Sequence, residues 1–175
     1  SSVPGTDRDA VRGNVIARSG NDLAVRGATI MRRGLDAHFH DDVVVKIGTD
    51  TKVFKTGHPN AGLDISAISV GQRVTIYGDI TASDAARVHI DATAGAVRLH
   101  VTHLAGLVNS IVPGQTDIAL HAIDRRRVRI FDFSGTGTGT DTDADPDNYE
   151  VATGNLFMHP VAAGRPVVVY GFPSA

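Results

Sequence analysis

His38, His40 and Asp42 stand at alternate positions of one segment of the chain. Side chains two residues apart in a β-strand point to the same face, so these three would lie side by side. Imidazole nitrogen and carboxylate oxygen are ligands for zinc and copper, which makes the triplet a candidate metal site. The alternative is a solvated strand face, because the other face is predicted to be a core stripe of Phe39, Val43, Val45 and Ile47.

A second candidate metal site is the loop that contains Asp141, Asp143 and Asp145. Alternating carboxylates offer the hard oxygen ligands that calcium prefers. The EF-hand pattern is not met, because Pro146 stands where glycine is needed and Ala152 where the bidentate glutamate should be. The alternative is an acidic loop without metal, continuous with the preceding Gly-Thr run, which has neither the lysine nor the following helix of a phosphate-binding loop.

Arginine and tyrosine side chains on predicted outward strand positions form a candidate nucleic-acid surface. Barrels of the OB type bind single strands through cationic and aromatic faces. The net charge of −2, the 5% aromatic content and the absence of tryptophan argue against such binding, and arginine is the usual cation of this chain. A solvated face is therefore the alternative. The candidate residues are Arg12, Arg73, Tyr77, Arg87, Arg127, Arg129 and Tyr170.

No segment carries a local signature of catalysis. The patterns Gly-x-Ser-x-Gly, His-Glu-x-x-His and Ser-x-x-Lys are absent, and Glu150 is the only glutamate. The chain has no cysteine, which excludes disulfides and thiolate metal sites. We expect a protein that is not an enzyme and has no cofactor.

The composition of the 175 residues predicts an all-β fold. Glutamate, lysine, glutamine and methionine, which favour helices, are scarce. Valine, threonine and glycine, which suit strands and turns, are abundant. No apolar run approaches the roughly 20 residues of a membrane span.

An internal repeat divides the chain into two copies, residues 1–97 and 98–175. Residues 71–78 align with residues 164–171 without a gap, and both segments carry glycine, valine, tyrosine and glycine at the same spacing. Upstream matches follow in the same order, among them 13–15 with 106–108 and 23–25 with 118–120. Because one such match is easily accidental and several in one order are not, we predict two tandem β units.

Each unit is predicted to be a small OB-like β-barrel. In the first copy, period-2 alternation places three strands before residue 48 and two after residue 72. Between them, 63–70 is predicted to form a short helix that Gly71 ends. Three strands, a helix and two strands is the order of an OB barrel, with a small sandwich as the alternative. Gly13 and Gly106 suit corner bends, and the second copy is predicted to lack or borrow its last strand.

Two motifs of the first copy carry a family resemblance. Val11–Val15 fits V-x-G-x-V, and Val70–Gly78 fits V-G-x-x-V-x-V-x-G. In these motifs residues 11–93 resemble a bacterial family of exported, envelope-associated domains of unknown function. The second copy matches more loosely, since Pro166 replaces the equivalent of Arg73. The resemblance implies an OB-like barrel in the cell envelope or periplasm, for example in a lipoprotein, and no catalytic residues.

Three functional hypotheses follow. The first is a non-catalytic structural or binding module of an envelope protein, with a protein or carbohydrate partner. The second is an OB pair that binds single-stranded nucleic acid, and the third is a metal-binding protein. The chain starts without methionine or a signal-peptide pattern, so we expect any targeting segment to lie upstream.

Overall fold

The protein is all-β, as the composition predicts. The computed structural model describes residues 8–32, 37–83, 87–135, 142–156 and 161–174, and only the backbone of residue 40 and of residues 59–61. Within these ranges there is no helix of seven or more residues. It follows that no helix of the described chain has the length and apolar character needed to cross a bilayer.

The strands fall into two groups along the chain. The first group is β1 (Asp9–Ser19), β2 (Asp22–Met31), β3 (Ala37–Lys46), β4 (Lys52–Lys55), β5 (His58–Leu63), β6 (Arg73–Ser83) and β7 (Val88–His100). The second group is β8 (Thr102–Val112), β9 (Gln115–Ile123), β10 (Arg126–Arg127), β11 (Tyr149–Ala152) and β12 (Pro166–Gly171). Since β7 continues to His100, the predicted boundary at 97/98 lies inside a strand of the first group.

The first group forms a closed five-stranded barrel. Its strands follow the order β3-β2-β1-β6-β7, and β3 also pairs with β7, in parallel, over Val43–Lys46. Alternate side chains fill the interior, where Val11, Val15 and Ile76 have no exposed surface. The hairpin of β4 and β5 extends this sheet, because β4 pairs in parallel with the second half of β7. The hairpin was not predicted, because its sequence lacks apolar alternation.

The segment predicted as a short helix forms only one 3₁₀ turn, Ile65–Ala67. The Asp64 carboxylate accepts a hydrogen bond from the Ser66 amide at 2.8 Å and so caps this turn locally. Such side-chain bonds to the nearby backbone compete with continued helix. Gly71 then takes a φ of +91°, a left-handed conformation that favours glycine, and leads the chain into β6.

The second group forms an open sheet of order β10-β9-β8-β12, with β11 also paired to β9. The short strands β10 and β11 lie one after the other along the same edge of β9, against Ala122–Ile123 and Gln115–Ile118. The second group thus has five strand segments. Two of them, β10 and β11, together occupy the position beside β9 that β3 occupies beside β2 in the first barrel. Within the described ranges no strand joins β12 to this edge, where the first barrel has β7.

Two glycines that the sequence repeat aligns have equivalent strand pairings. Gly13 of β1 lies opposite Val74 of β6, and Gly106 of β8 lies opposite Val167 of β12. Each residue of the second pair follows its counterpart in the first pair by 93 positions. Both glycines adjoin a register shift against the next strand. A Cβ on Gly106 would lie 2.3 Å from the Ala119 carbonyl oxygen. These bends are therefore places where two backbones approach too closely for a side chain.

The two units share a packed boundary. Ile16 and Val70 of the first unit belong to the hydrophobic cluster of the second, with Phe131 and Phe133. The Asp132 amide donates to the Ile16 carbonyl at 2.7 Å. The polar contacts between Asn14 and Asp124, and between Gln72 and Thr102, cross the same boundary. The units are thus fixed against each other by apolar contacts and by buried hydrogen bonds.

Candidate binding surfaces

The predicted histidine triplet lies on β3. His38 is exposed, and the side chain of His40 lies outside the described atoms. The Asp42 carboxylate accepts hydrogen bonds from Nε and Nη2 of Arg26, both at 3.0 Å, and forms a salt bridge with it. Among the side chains that the structure describes, no three histidine, aspartate or glutamate groups come together as metal ligands. Metal binding at His38 and His40 therefore stays a prediction, and the Asp42 carboxylate is occupied by its contacts with Arg26.

The prediction that Phe39 belongs to the core is wrong. Its side chain is 83% exposed, whereas Val43, Val45 and Ile47 are buried as expected. The reason lies in the strand pairing, since β3 contacts β7 only over Val43–Lys46. In the described ranges the first half of β3 pairs with β2 alone and extends past the closed part of the barrel, so no described residue covers Phe39.

The acidic loop is described only in part, since Asp141 lies outside the described residues. Asp143 is half-buried, and Asp145 is exposed and caps the 3₁₀ turn Pro146–Asn148. Its carboxylate accepts a hydrogen bond from the Asp147 amide at 2.9 Å. Asp145 thus has a local structural role, and calcium binding stays a prediction.

The predicted arginine and tyrosine residues separate into two places. Arg12 on β1 and Arg73 and Tyr77 on β6 lie on the outer side of adjacent strands of the first barrel. In the second unit Arg127 is on β10, Arg129 is in the 3₁₀ turn Val128–Ile130 and Tyr170 is on β12. Arg87 immediately precedes β7.

Two residues that were not predicted, Arg98 and His100, complete the group on the first barrel. Thr75 of β6 lies between Arg12 on β1 and Arg98 on β7, and Arg73 lies opposite His100. We call Arg12, Arg73 and Arg98 the arginine cluster. Part of the sequence signal was available, because the buried Val97 and Leu99 alternate with Arg98 and His100. Their parity is shifted by one residue from that of Val88, Ile90 and Ala92, where the predicted strand stopped.

His100 lies half-buried among these arginines. Its Nε2 is 2.8 Å from the Thr75 hydroxyl, and its Nδ1 is 3.1 Å from the Thr56 hydroxyl. Because the Thr56 hydroxyl donates its proton to the Leu99 carbonyl, we infer that Nδ1 carries the ring proton and that Nε2 accepts from Thr75. Burial, and then the charges of the arginine cluster, lower the pKa of His100 from 6.5 to about 4. The ring is therefore neutral at neutral pH.

A cleft lies on the open side of the second unit, between β11 and β12. Its volume is about 870 Å³. The floor includes Leu104 and Tyr149, which are 4% and 8% exposed, and the half-buried Val169. At its rim the side chains of Val168 and Tyr170 are 57% and 66% exposed. This cleft was not predicted, because the split of the third strand into β10 and β11 leaves no pattern in the sequence.

The Tyr170 side chain is held beside the cleft by an aromatic contact. Its ring centroid is 4.4 Å from that of His103, with 60° between the planes. Tyr170 thus has an aromatic neighbour and stays accessible. Similarity identifies neither this surface nor the arginine cluster: no protein-family model, no curated protein and no solved structure matches the chain.

Proposed function

We propose that this chain is a non-catalytic binding module of a bacterial cell-envelope protein, made of two OB-like units. The closed first barrel supports the OB-like assignment, because it has five strands, a helical turn before the fourth of them, and a Greek-key order. The second unit shares its strand register around Gly106. The envelope location rests on the resemblance of residues 11–93 to exported domains.

The cleft between β11 and β12 carries the proposal of binding. It exposes apolar side chains at the place where the first barrel has its last strand, β7. In the described chain β12 has a hydrogen-bonded neighbour on one side only, β8. A free strand edge beside exposed apolar groups is a template for another strand.

The partner that fits this surface is a protein segment in extended conformation. Strand addition gains affinity from main-chain hydrogen bonds and specificity from pockets for alternate side chains. In the first barrel β7 runs antiparallel to β6 and parallel to β3. Because β12 corresponds to β6 in the repeat, the bound segment takes the place of β7 and runs antiparallel to β12. Every second side chain of this segment is aliphatic and points toward Leu104 and Val169. The apolar floor favours a protein over a carbohydrate partner.

A synthetic peptide of residues 88–100 tests this proposal, because it is the strand that fills the equivalent place in the first barrel. We expect it to shift the NMR amide signals of β12 and to leave those of β6 unchanged. Val168→Asp should weaken the binding, whereas Val112→Asp, at another exposed valine on β8, should not. Shifts confined to the first barrel, or equal binding of a scrambled peptide, would contradict the proposal.

The envelope location has a separate test in the gene. A secretion or lipoprotein signal encoded upstream of Ser1, with fractionation of the full-length protein to the envelope, is the expected result. A cytoplasmic start would contradict the location and would favour the nucleic-acid hypothesis.

Nucleic-acid binding by an OB pair has less support. Only Arg12, Arg73 and Tyr77 of its predicted residues share one surface, while Arg127 and Arg129 belong to the other unit. In addition, the exposed Asp79 follows Tyr77 at the next outward position of β6 and forms a salt bridge with Arg8, so this ion pair adds no net positive charge there.

A further inference from the structure

The arginine cluster gathers three positive charges on one part of the first barrel. Arg12 and Arg98 flank Thr75 across three adjacent strands, and Arg73 is two positions from Thr75 along β6. Neighbouring strands are about 4.8 Å apart, and directly opposite side chains are about 5 Å apart at Cβ. Thr75 is only 6% exposed although it lies on the outer side of the barrel. The His100 ring contacts the Thr75 hydroxyl, and the charges of all three arginines act on that ring.

These charges have no acidic partner among the described residues. The salt bridges there join Arg8 to Asp79, Arg26 to Asp42 and His103 to Asp124, and none reaches the arginine cluster. The charges that act on His100 agree with this, because all of them are arginines of the cluster. A group of cations that repel one another costs folding energy unless an anion neutralises it.

We propose that the arginine cluster, beside Thr75 and His100, is a binding site for a phosphate-type oxyanion. This proposal concerns the first barrel and goes beyond the protein-binding cleft. Guanidinium groups present planar pairs of N–H donors that match phosphate oxygens, and such charge-assisted bonds are about twice as strong as neutral ones.

The shape of the cluster favours one compact oxyanion group over a long polyanion. The three arginines occupy a single small area on β1, β6 and β7. Farther along β6 the outward residues are Tyr77 and then Asp79, so the positive surface does not continue in that direction. A compact group with two or more negative charges, such as a phosphate monoester or a pyrophosphate, matches this arrangement.

His100 gives a spectroscopic readout of an occupied site. A bound anion favours the charged form of a neighbouring imidazole. We expect saturating pyrophosphate to move the NMR titration of the His100 ring upward from about 4. In the free protein, Arg98→Gln should also move it upward, because one repelling charge is removed. This second measurement tests the convergence of the cluster independently of any ligand.

Titration with pyrophosphate and with inorganic phosphate, followed by NMR and calorimetry, tests the site. Arg12→Gln, Arg73→Gln and Arg98→Gln should each weaken pyrophosphate binding at least about tenfold, as expected for the loss of a charge-assisted bond. The exposed Arg129→Gln is the matched control and should bind like the wild type. A Thr75→Val variant that folds should weaken binding less than the arginine variants.

Three results would overturn the proposal. One is a His100 titration that pyrophosphate does not change at millimolar concentration. Another is an equal loss of affinity in Arg129→Gln, since that would show a general charge effect. The third is tight binding of a single-stranded oligonucleotide that depends on Arg127 and Arg129, which would assign anion binding to a polymer on the second unit.

Discussion

Asn14 of the first unit donates a hydrogen bond to Asp124 of the second, and its replacement is the sharpest test of their packing. The side chain is 4% exposed. Its Nδ2 donates to Asp124 Oδ2 at 2.7 Å and to the Gly71 carbonyl at 3.3 Å. Asp124 lies in the β9–β10 turn with a φ of +47°, and its side chain is only 12% exposed. Water therefore cannot easily replace the amide of Asn14.

Asn14→Ala should lower the free energy of unfolding by about 2–4 kcal/mol. A hydrogen bond to a charged group contributes about 1.5–3 kcal/mol, and a buried carbonyl left without a donor costs about 1 kcal/mol more. Equilibrium unfolding in urea gives this change from the midpoint and slope. Asn109→Ala is the control, because its amide bonds to Asp147 and Asn148 at an exposed place; it should cost no more than about 1 kcal/mol.

A double-mutant cycle checks that the effect comes from this contact. Asn14→Ala and Asp124→Asn should couple by more than about 0.5 kcal/mol, as contacting residues do. Asparagine is chosen at position 124 because it tolerates a left-handed backbone. A loss below about 0.5 kcal/mol in Asn14→Ala, or additive effects in the cycle, would refute the reasoning that a buried bond holds the units together.

Three further predictions concern single side chains. Phe39→Ala should change the free energy of unfolding by less than about 0.5 kcal/mol, because the ring is exposed, whereas Val43→Ala should cost about 2 kcal/mol; urea unfolding compares them. Gly106→Ala should destabilise by about 1–3 kcal/mol, since its Cβ would meet the Ala119 carbonyl, whereas Gly171→Ala has open space and should be neutral in the same assay. The folded pKa of His100 lies below the unfolded value, so its contribution to stability is complete above pH 6.5 and is lost as pH falls toward 4. His100→Gln should reduce this pH dependence in unfolding curves.

The all-β class was predictable from sequence because it depends on local patterns. Alternation identified the buried positions of β1, β6 and the start of β7, and the glycine spacing identified the bulges at Gly13 and Gly106. Phe39 was misplaced because burial depends on which strand covers a face, and alternation reports only that two faces differ. β4 and β5 were missed because their sequence has little alternation to detect.

The candidate sites were less predictable, since they depend on contacts between distant segments. Arg12 and Arg73 were named correctly as outward residues of the first barrel, but Arg98 joins them only through the register of β6 and β7. The cleft depends on two properties of the assembled sheet: the splitting of one strand into β10 and β11, and the edge of β12 that has no strand neighbour within the described ranges.

Amide hydrogen exchange along β12 tests the central claim, that the second unit has an open edge where a partner strand binds. Each amide of residues 73–77 in β6 faces a paired strand, because β1 and β7 lie on its two sides. Among the residues that the structure describes, β12 pairs with β8 alone, so the paired amides of β12 are those that point toward β8. We predict uniform protection in β6 and alternating fast and slow exchange over residues 167–171. Uniform protection of β12 in the isolated protein would contradict the claim.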